Sequence, residues 1–114
     1  MDRTVVHDRT LIKRILQEYA DLANRSPRTD VETIAVFDEA NDHYFLHTIG
    51  WRNLERIWNT TVYVRLREGK FWIEIDWTEE GIATELLKAG VPKEDIVLAF
   101  HHPSVRPLTE FAVA

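Results

Sequence analysis

The stretch D-W-T-E-E-G-I-A-T-E-L-L-K-A-G-V-P-K-E-D-I-V-L-A-F, from Asp76 to Phe100, constrains the fold more than any other because it marks a helix at both ends. Thr78 offers a hydroxyl to the orphan amides of a first turn, and Glu79 and Glu80 complement the positive end of the helix. Gly90 suits the left-handed residue that stops a helix, with Pro92 just beyond. Between these marks Ile82, Leu86 and Ala89, with Ala83 and Leu87 beside them, recur at helical spacing, so the helix has one face to bury. Ile96 to Phe100 then reads as an unbroken apolar run of strand length, the pattern of a strand covered on both sides.

An earlier helix is expected from about Thr4 to Asn24, where Val5, Ile12, Ile15, Leu16, Tyr19, Leu22 and Ala23 form a stripe. Arg9, Lys13, Arg14, Glu18 and Asp21 fall mostly on the other face, and Asn24 with the R-S-P-R-T-D segment around Pro27 supplies the stop. The surface for this helix is an antiparallel sheet, whose clearest hairpin joins about Thr61–Arg67 to Phe71–Trp77. A two-residue loop at Glu68 and Gly69 pairs Leu66 with Phe71, Val64 with Ile73 and Val62 with Ile75. The opposite face then sets Arg65 beside Trp72 and Tyr63 beside Glu74. A three-residue loop would put Arg67 opposite Phe71 and lose the match. Glu32 to Phe37 and Tyr44 to Trp51 read as another strand pair across the polar D-E-A-N-D-H segment. These elements predict an α+β fold: an N-terminal helix and a second short helix packed on a mainly antiparallel sheet built from two hairpins plus a late strand. The Thr78–Asp95 connection is long enough for a parallel crossover, which would make the sheet mixed.

A chain of 114 residues fits one domain, 1–114, and its 45% hydrophobic and 29% charged residues fit neither a disordered nor a membrane protein. The start M-D-R-T-V-V-H-D-R lacks the pattern of a signal peptide and no apolar run reaches membrane-span length, so no membrane role and a cytoplasmic location are expected. With Cys 0, disulfides, thiolate nucleophiles and cysteine zinc sites are excluded. A net charge of -5 argues against independent high-affinity binding to nucleic acid, leaving contact with DNA indirect or weak. The charges are segregated, with only acidic ones at Asp30–Asp42 and Glu74–Glu85. Arg52, Arg56, Arg65, Arg67 and Lys70 lie between. That alternation and the apolar end of the C-terminal tail, around Phe111, suit a partner or a homodimer; the tail is either stapled to the core or offered to another protomer.

Candidate chemistry is sparse. Asp38, Glu39, Asn41, Asp42 and His43 gather oxygen donors and an imidazole in one loop, but they lack the glycine and distal glutamate of a calcium loop and are common turn residues. Asp42 with Glu68 and Lys70 resembles the acidic-and-lysine set of a metal-dependent nuclease, yet the expected register puts Glu68 at a hairpin tip rather than on a strand. His101 and His102 are adjacent and point apart on an extended chain. No phosphate-binding glycine motif occurs. No catalytic residue, cofactor or metal ligand is therefore expected. Trp51, Trp58, Trp72 and Trp77 read as core area, with Trp72 the one placed on the polar sheet face where a base could stack.

H-Y-F-L-H-T-I-G-W (His43–Trp51), G-K-F-W-I-E (Gly69–Glu74), the Thr78–His101 stretch and the closing T-E-F-A-V-A resemble the XisI family, the fdxN element excision controlling factors of cyanobacteria. The resemblance covers nearly the whole chain; Trp77 stands where that pattern often has glycine, and His102 where it has proline or serine. It implies a non-enzymatic controlling factor that acts with an XisH-like protein in site-specific excision of a DNA element during heterocyst development. The residues expected to meet a partner or nucleic acid are Arg52, Arg56, Arg65, Arg67, Trp72 and Phe111. A metal-dependent nuclease and a DNA-binding accessory factor are the alternatives.

Overall fold

The structure, a computed structural model, describes residues 3–25 and 30–114. Helix α1 (Val5–Ala23) begins where the Thr4 hydroxyl accepts from the His7 amide and is capped at its far end by Asn24. Its buried stripe is Asp8, Leu11, Ile12, Ile15, Leu16 and Ala20, whereas Val5 and Leu22, expected in it, are exposed. Asp8 takes the buried position in the first turn because Arg3 neutralises it. The stop expected at Pro27 lies outside the described residues.

Strands β1 (Val31–Asp38), β2 (His43–Arg52), β3 (Glu55–Arg67) and β4 (Lys70–Asp76) form an antiparallel meander, and β5 (Ile96–Leu98) joins β4 in parallel. Strand order in space follows the chain, and the sheet is mixed at one edge only. The expected α+β arrangement holds, with one change. A turn at Asn53 and Leu54, where Asn53 has φ 58, joins β2 to β3, so there are three hairpins rather than two. Strand β3 therefore starts at Glu55 and has 13 residues, against 7 in β4.

The β3–β4 hairpin closes on Arg67 and Lys70, with Glu68 at φ 54 and Gly69 at φ 74, the two left-handed residues that a twisted two-residue turn demands. Leu66 faces Phe71 and Val64 faces Ile73, as expected. The expected Val62–Ile75 pair does not form. A bulge between Tyr63 and Val64 sets Tyr63 opposite Ile75 and Val62 opposite Asp76. Glu74 is the extra residue, and its carboxylate is held by Arg65 at 2.9 Å. The slip carries Asp76 to the same face as the buried Val62.

That placement decides where the second helix starts. Helix α2 is Ile82–Lys88, four residues beyond the Thr78 start expected from the sequence. Asp76 supplies the cap instead: its carboxylate accepts from the Ile82 amide at 2.7 Å and from the Thr78 amide and hydroxyl at 3.0 and 2.6 Å. Thr78 is one link further out, accepting from the Gly81 amide at 3.2 Å, and Glu79 and Glu80 precede the helix. The stop is as expected. Gly90 has φ 93, its amide reaches Leu87 O and the Val91 amide reaches Leu86 O, with Val91 and Leu86 both buried.

Leu11, Ile12, Ile15 and Leu16 of α1 and Ile82 and Leu86 of α2 share one apolar cluster with Tyr44, Leu46, Val62, Val64, Phe71, Ile73 and Ile96 of the sheet. Strand β5 ends at Leu98, short of the expected Phe100, because the Ala99 and Phe100 amides both turn to Ile73 O. The tail is stapled to its own protomer. Ala112 bridges to Val97, Phe111 packs on the core, and Arg106 donates to the carbonyls of His101, Ala99 and Val113.

Asp76→Ala is expected to cost about 2 kcal/mol in urea unfolding, more than Thr78→Ala, because only Asp76 reaches the helix amide. Gly69→Ala should cost about 1 kcal/mol by the same measurement, all of it backbone strain, since a methyl there meets nothing within 4 Å.

Candidate functional site

The polar loop between β1 and β2 spends its carboxylates on the fold. Asp42, at φ 59, receives Arg9 Nε and Nη2 at 2.8 and 3.1 Å and the Tyr44 hydroxyl at 2.8 Å. Asp38 accepts from the Asn41 amide and side chain at 3.1 Å, and Glu39 pairs with Lys13. The Arg9 hydrogen bond holds Asp42 below the usual carboxylate range against the cost of burial, with Tyr44 adding to the effect. Burial, then the bond to Asp42, pushes the Tyr44 phenol well above its ordinary value. This triad pins α1 to the first hairpin.

A second clip lies at the same end of the strands, towards β4 and β5. Arg3 donates to the buried Asp8 at 2.5 Å, to Asp95 at 2.9 Å and to Gly69 O at 3.2 Å, with its guanidinium over Phe71. Lys70, considered above for nuclease chemistry, bonds Ala114 O, and Glu68 stays exposed at the hairpin tip. His101 lies against Phe100, while His102 bonds Ser104 at 2.8 Å. Among the described residues no three His, Asp or Glu side chains are grouped to hold a metal ion.

The face of the sheet away from the helices is different in character. Side chains alternate along a strand, so Ile34, Val36, His43, Phe45, His47 and Tyr63, which sit between core residues, point to that face. Phe45 stacks on Tyr63 at 4.4 Å and on His47 at 5.3 Å. Tyr63 bonds His43 Nδ1 at 2.8 Å rather than meeting Glu74, and Thr60 bonds His47 Nδ1 at 3.1 Å. The result is a row of rings held by stacking and hydrogen bonds, with no helix over it among the described residues.

The basic and aromatic residues singled out from the sequence divide between two ends of β3. Arg52 and Arg56 are exposed on the outer β2–β3 hairpin, with Arg56 over Trp51 at 5.2 Å. Arg65 and Arg67 lie nine or more residues away, about 30 Å along a strand. Arg65 binds Glu74 rather than covering Trp72; Arg67 and Arg106 cover that ring at 5.1 and 5.9 Å. Trp72 is on the anticipated face but only 8% exposed, its indole donating to Arg67 O, so it offers no platform for a base. Phe111 is half-buried against the core. The expectation for the other tryptophans is reversed. Trp51, Trp58 and Trp77 are 49%, 75% and 80% exposed.

A model of the XisI protein family matches residues 1–113. The chain belongs to the XisI family. Its fold is similar to the crystal structure of a XisI-like protein from Anabaena variabilis, with a TM-score of 0.88 at 34% identity over 97% of this chain and 100% of that one. It is similar also to the fdxN element excision controlling factor XisI from the same organism, with a TM-score of 0.82 at 43% identity over 96% and 97% of the two chains. No curated protein matches it.

The open sheet face had no sequence signature, because alternating aromatics read equally well as a covered strand. The Asp42 triad predicts a pH effect. Because the folded carboxyl is more acidic than the unfolded one, the stability it supplies is complete above about pH 4 and is lost as the pH falls through the folded value. Asp42→Asn should therefore flatten the acid limb of a Tm-against-pH curve, and Tyr44→Phe should cost about 1 kcal/mol at neutral pH.

Proposed function

We propose that this XisI-family chain is a non-enzymatic controlling factor, cytoplasmic, that acts on site-specific excision of a DNA element by binding an XisH-like protein. The observation that carries this reading is the uncovered sheet face of β1 to β3. Its rings are already fixed by stacking and hydrogen bonds, so a partner orders few side chains on docking. The surrounding ionisable groups do structural work instead: Asp42 under Arg9 and Tyr44, Glu74 under Arg65, Asp76 at the helix start. The likeness to a protein named an excision controlling factor gives the process.

Calorimetry of the purified chain with an XisH-like protein should give a saturable heat with a Kd of micromolar or tighter. Val36→Lys and Phe45→Ser should weaken binding at least tenfold with the fold retained by circular dichroism. No heat at micromolar concentration would remove the reading. Cleavage of supercoiled DNA by the chain alone with magnesium or manganese would replace it with a nuclease.

A further inference from the structure

We propose that the outer β2–β3 hairpin is a self-association arm, which adds its β3 edge to the same edge of a second copy and seats its tip in that copy's notch. The inference is independent of the proposed partner on the open face.

Strands β3 and β4 are unequal in length, 13 residues against 7. Strand β4 ends at Asp76 opposite Val62, so Glu55 to Thr60 of β3 pair with β2 on one side and with no described strand on the other. This free edge is about 20 Å long. A two-residue hairpin loop closes on a hydrogen-bonded pair, here Arg52 with Glu55; backbone groups alternate from there, and Arg56 and Trp58 aim theirs outward. The other sheet edges are guarded. The tail bridges to β5, and the Asn24 side chain bonds both the amide and the carbonyl of Thr33 in β1 at 2.8 and 2.7 Å. The free β3 edge, E-R-I-W-N-T, has no proline, lysine or bulge within it to repel a strand.

Shape and charge identify the occupant as another copy. Leu54 at the arm's tip is 97% exposed, and the notch where β4 stops is a groove lined by Trp58, Asn59, Thr60, Thr61, Ile75 and Trp77. Each chain thus carries an exposed apolar knob and, on the same strand, a groove in which two indoles and Ile75 stand among Asn59, Thr60 and Thr61, the arrangement a two-fold axis can satisfy twice. Trp77 already bonds Thr61 O at 3.0 Å, so an incoming arm must end beside Thr60. Antiparallel pairing then sets Leu54 against Thr60 of the partner subunit, Arg56 against Trp58 of the partner subunit, and Ile57 on the axis against its own copy. The outward groups of Arg56 and Trp58 meet their counterparts in this register. Arg52 at the tip approaches the acidic Glu79 and Glu80 of the partner subunit.

Light scattering after gel filtration tests the proposal on the chain alone, so its outcome is separate from partner binding. The wild type should have a two-chain mass at tens of micromolar. Trp58→Pro, which removes an outward amide and one indole wall of the groove without deleting a β2–β3 hydrogen bond, and Leu54→Asp should each raise the dimer Kd at least tenfold while circular dichroism is unchanged. The chain has no cysteine, so Ile57→Cys gives a clean register test: oxidation should link two chains, and Arg52→Cys should not link them. A wild-type monomer at high concentration, a dimer that survives both substitutions, or a dimer whose Ile57→Cys thiol stays free would overturn it.

Discussion

The Asp76 carboxylate sets the shape of the molecule. By binding the first amide of α2 it draws the chain out of the sheet at the residue opposite Val62, seven residues before β3 has run its length. Without that cap, D-W-T would be free to continue beside Thr61 and Thr60 as a longer β4. The cap therefore couples two features that look unrelated: a short helix delivered to the core side of the sheet, and a β3 edge left without a strand. The Glu74 bulge is part of the same device, because without the extra residue Asp76 would point to the face where no helix lies.

Electrostatics work mainly inward. The chain has 14 Lys and Arg against 19 Asp and Glu, and several of the cations are tied to named acids or rings. Arg3 joins Asp8 and Asp95, Arg9 joins Asp42, Arg65 joins Glu74, and Arg67 and Arg106 cover Trp72. These pairs are partly desolvated, so they resist screening better than exposed ones. A guanidinium engaged this way is less available to phosphate. That is a structural reason, beyond net charge, for placing recognition on rings and strand edges.

What the sequence revealed was what local chemistry decides. Gly90 and Val91 stop α2 because only glycine takes that backbone angle readily, and Glu68–Gly69 sets the hairpin register for the first residues after the turn. What it concealed depended on the tertiary structure. Thr78 stands directly before the two glutamates, where a cap is expected, but the bulge at Glu74 brings the Asp76 carboxylate to the first helix amide. Val5 and Leu22 matched the helical period, but Asp8 with Arg3 occupied the buried end of the stripe. The tryptophans misled for a general reason: large aromatics belong inside by default, so an exposed one is visible only once the core has been filled by others.

The open face and the free edge are perpendicular features of the same strands, which bears on how they combine. A two-fold axis through Ile57 that pairs antiparallel strands stands normal to the sheet, so both helical layers fall on one side and both rows of rings on the other. Association at the edge would then leave the His43–Phe45–His47–Tyr63 surface uncovered and double its width, with Trp58 of each chain near the centre. Two-site contact of that kind raises avidity without any new contact type, provided the partner spans the axis. The geometry thus links the strand length that Asp76 sets to the extent of surface offered for docking.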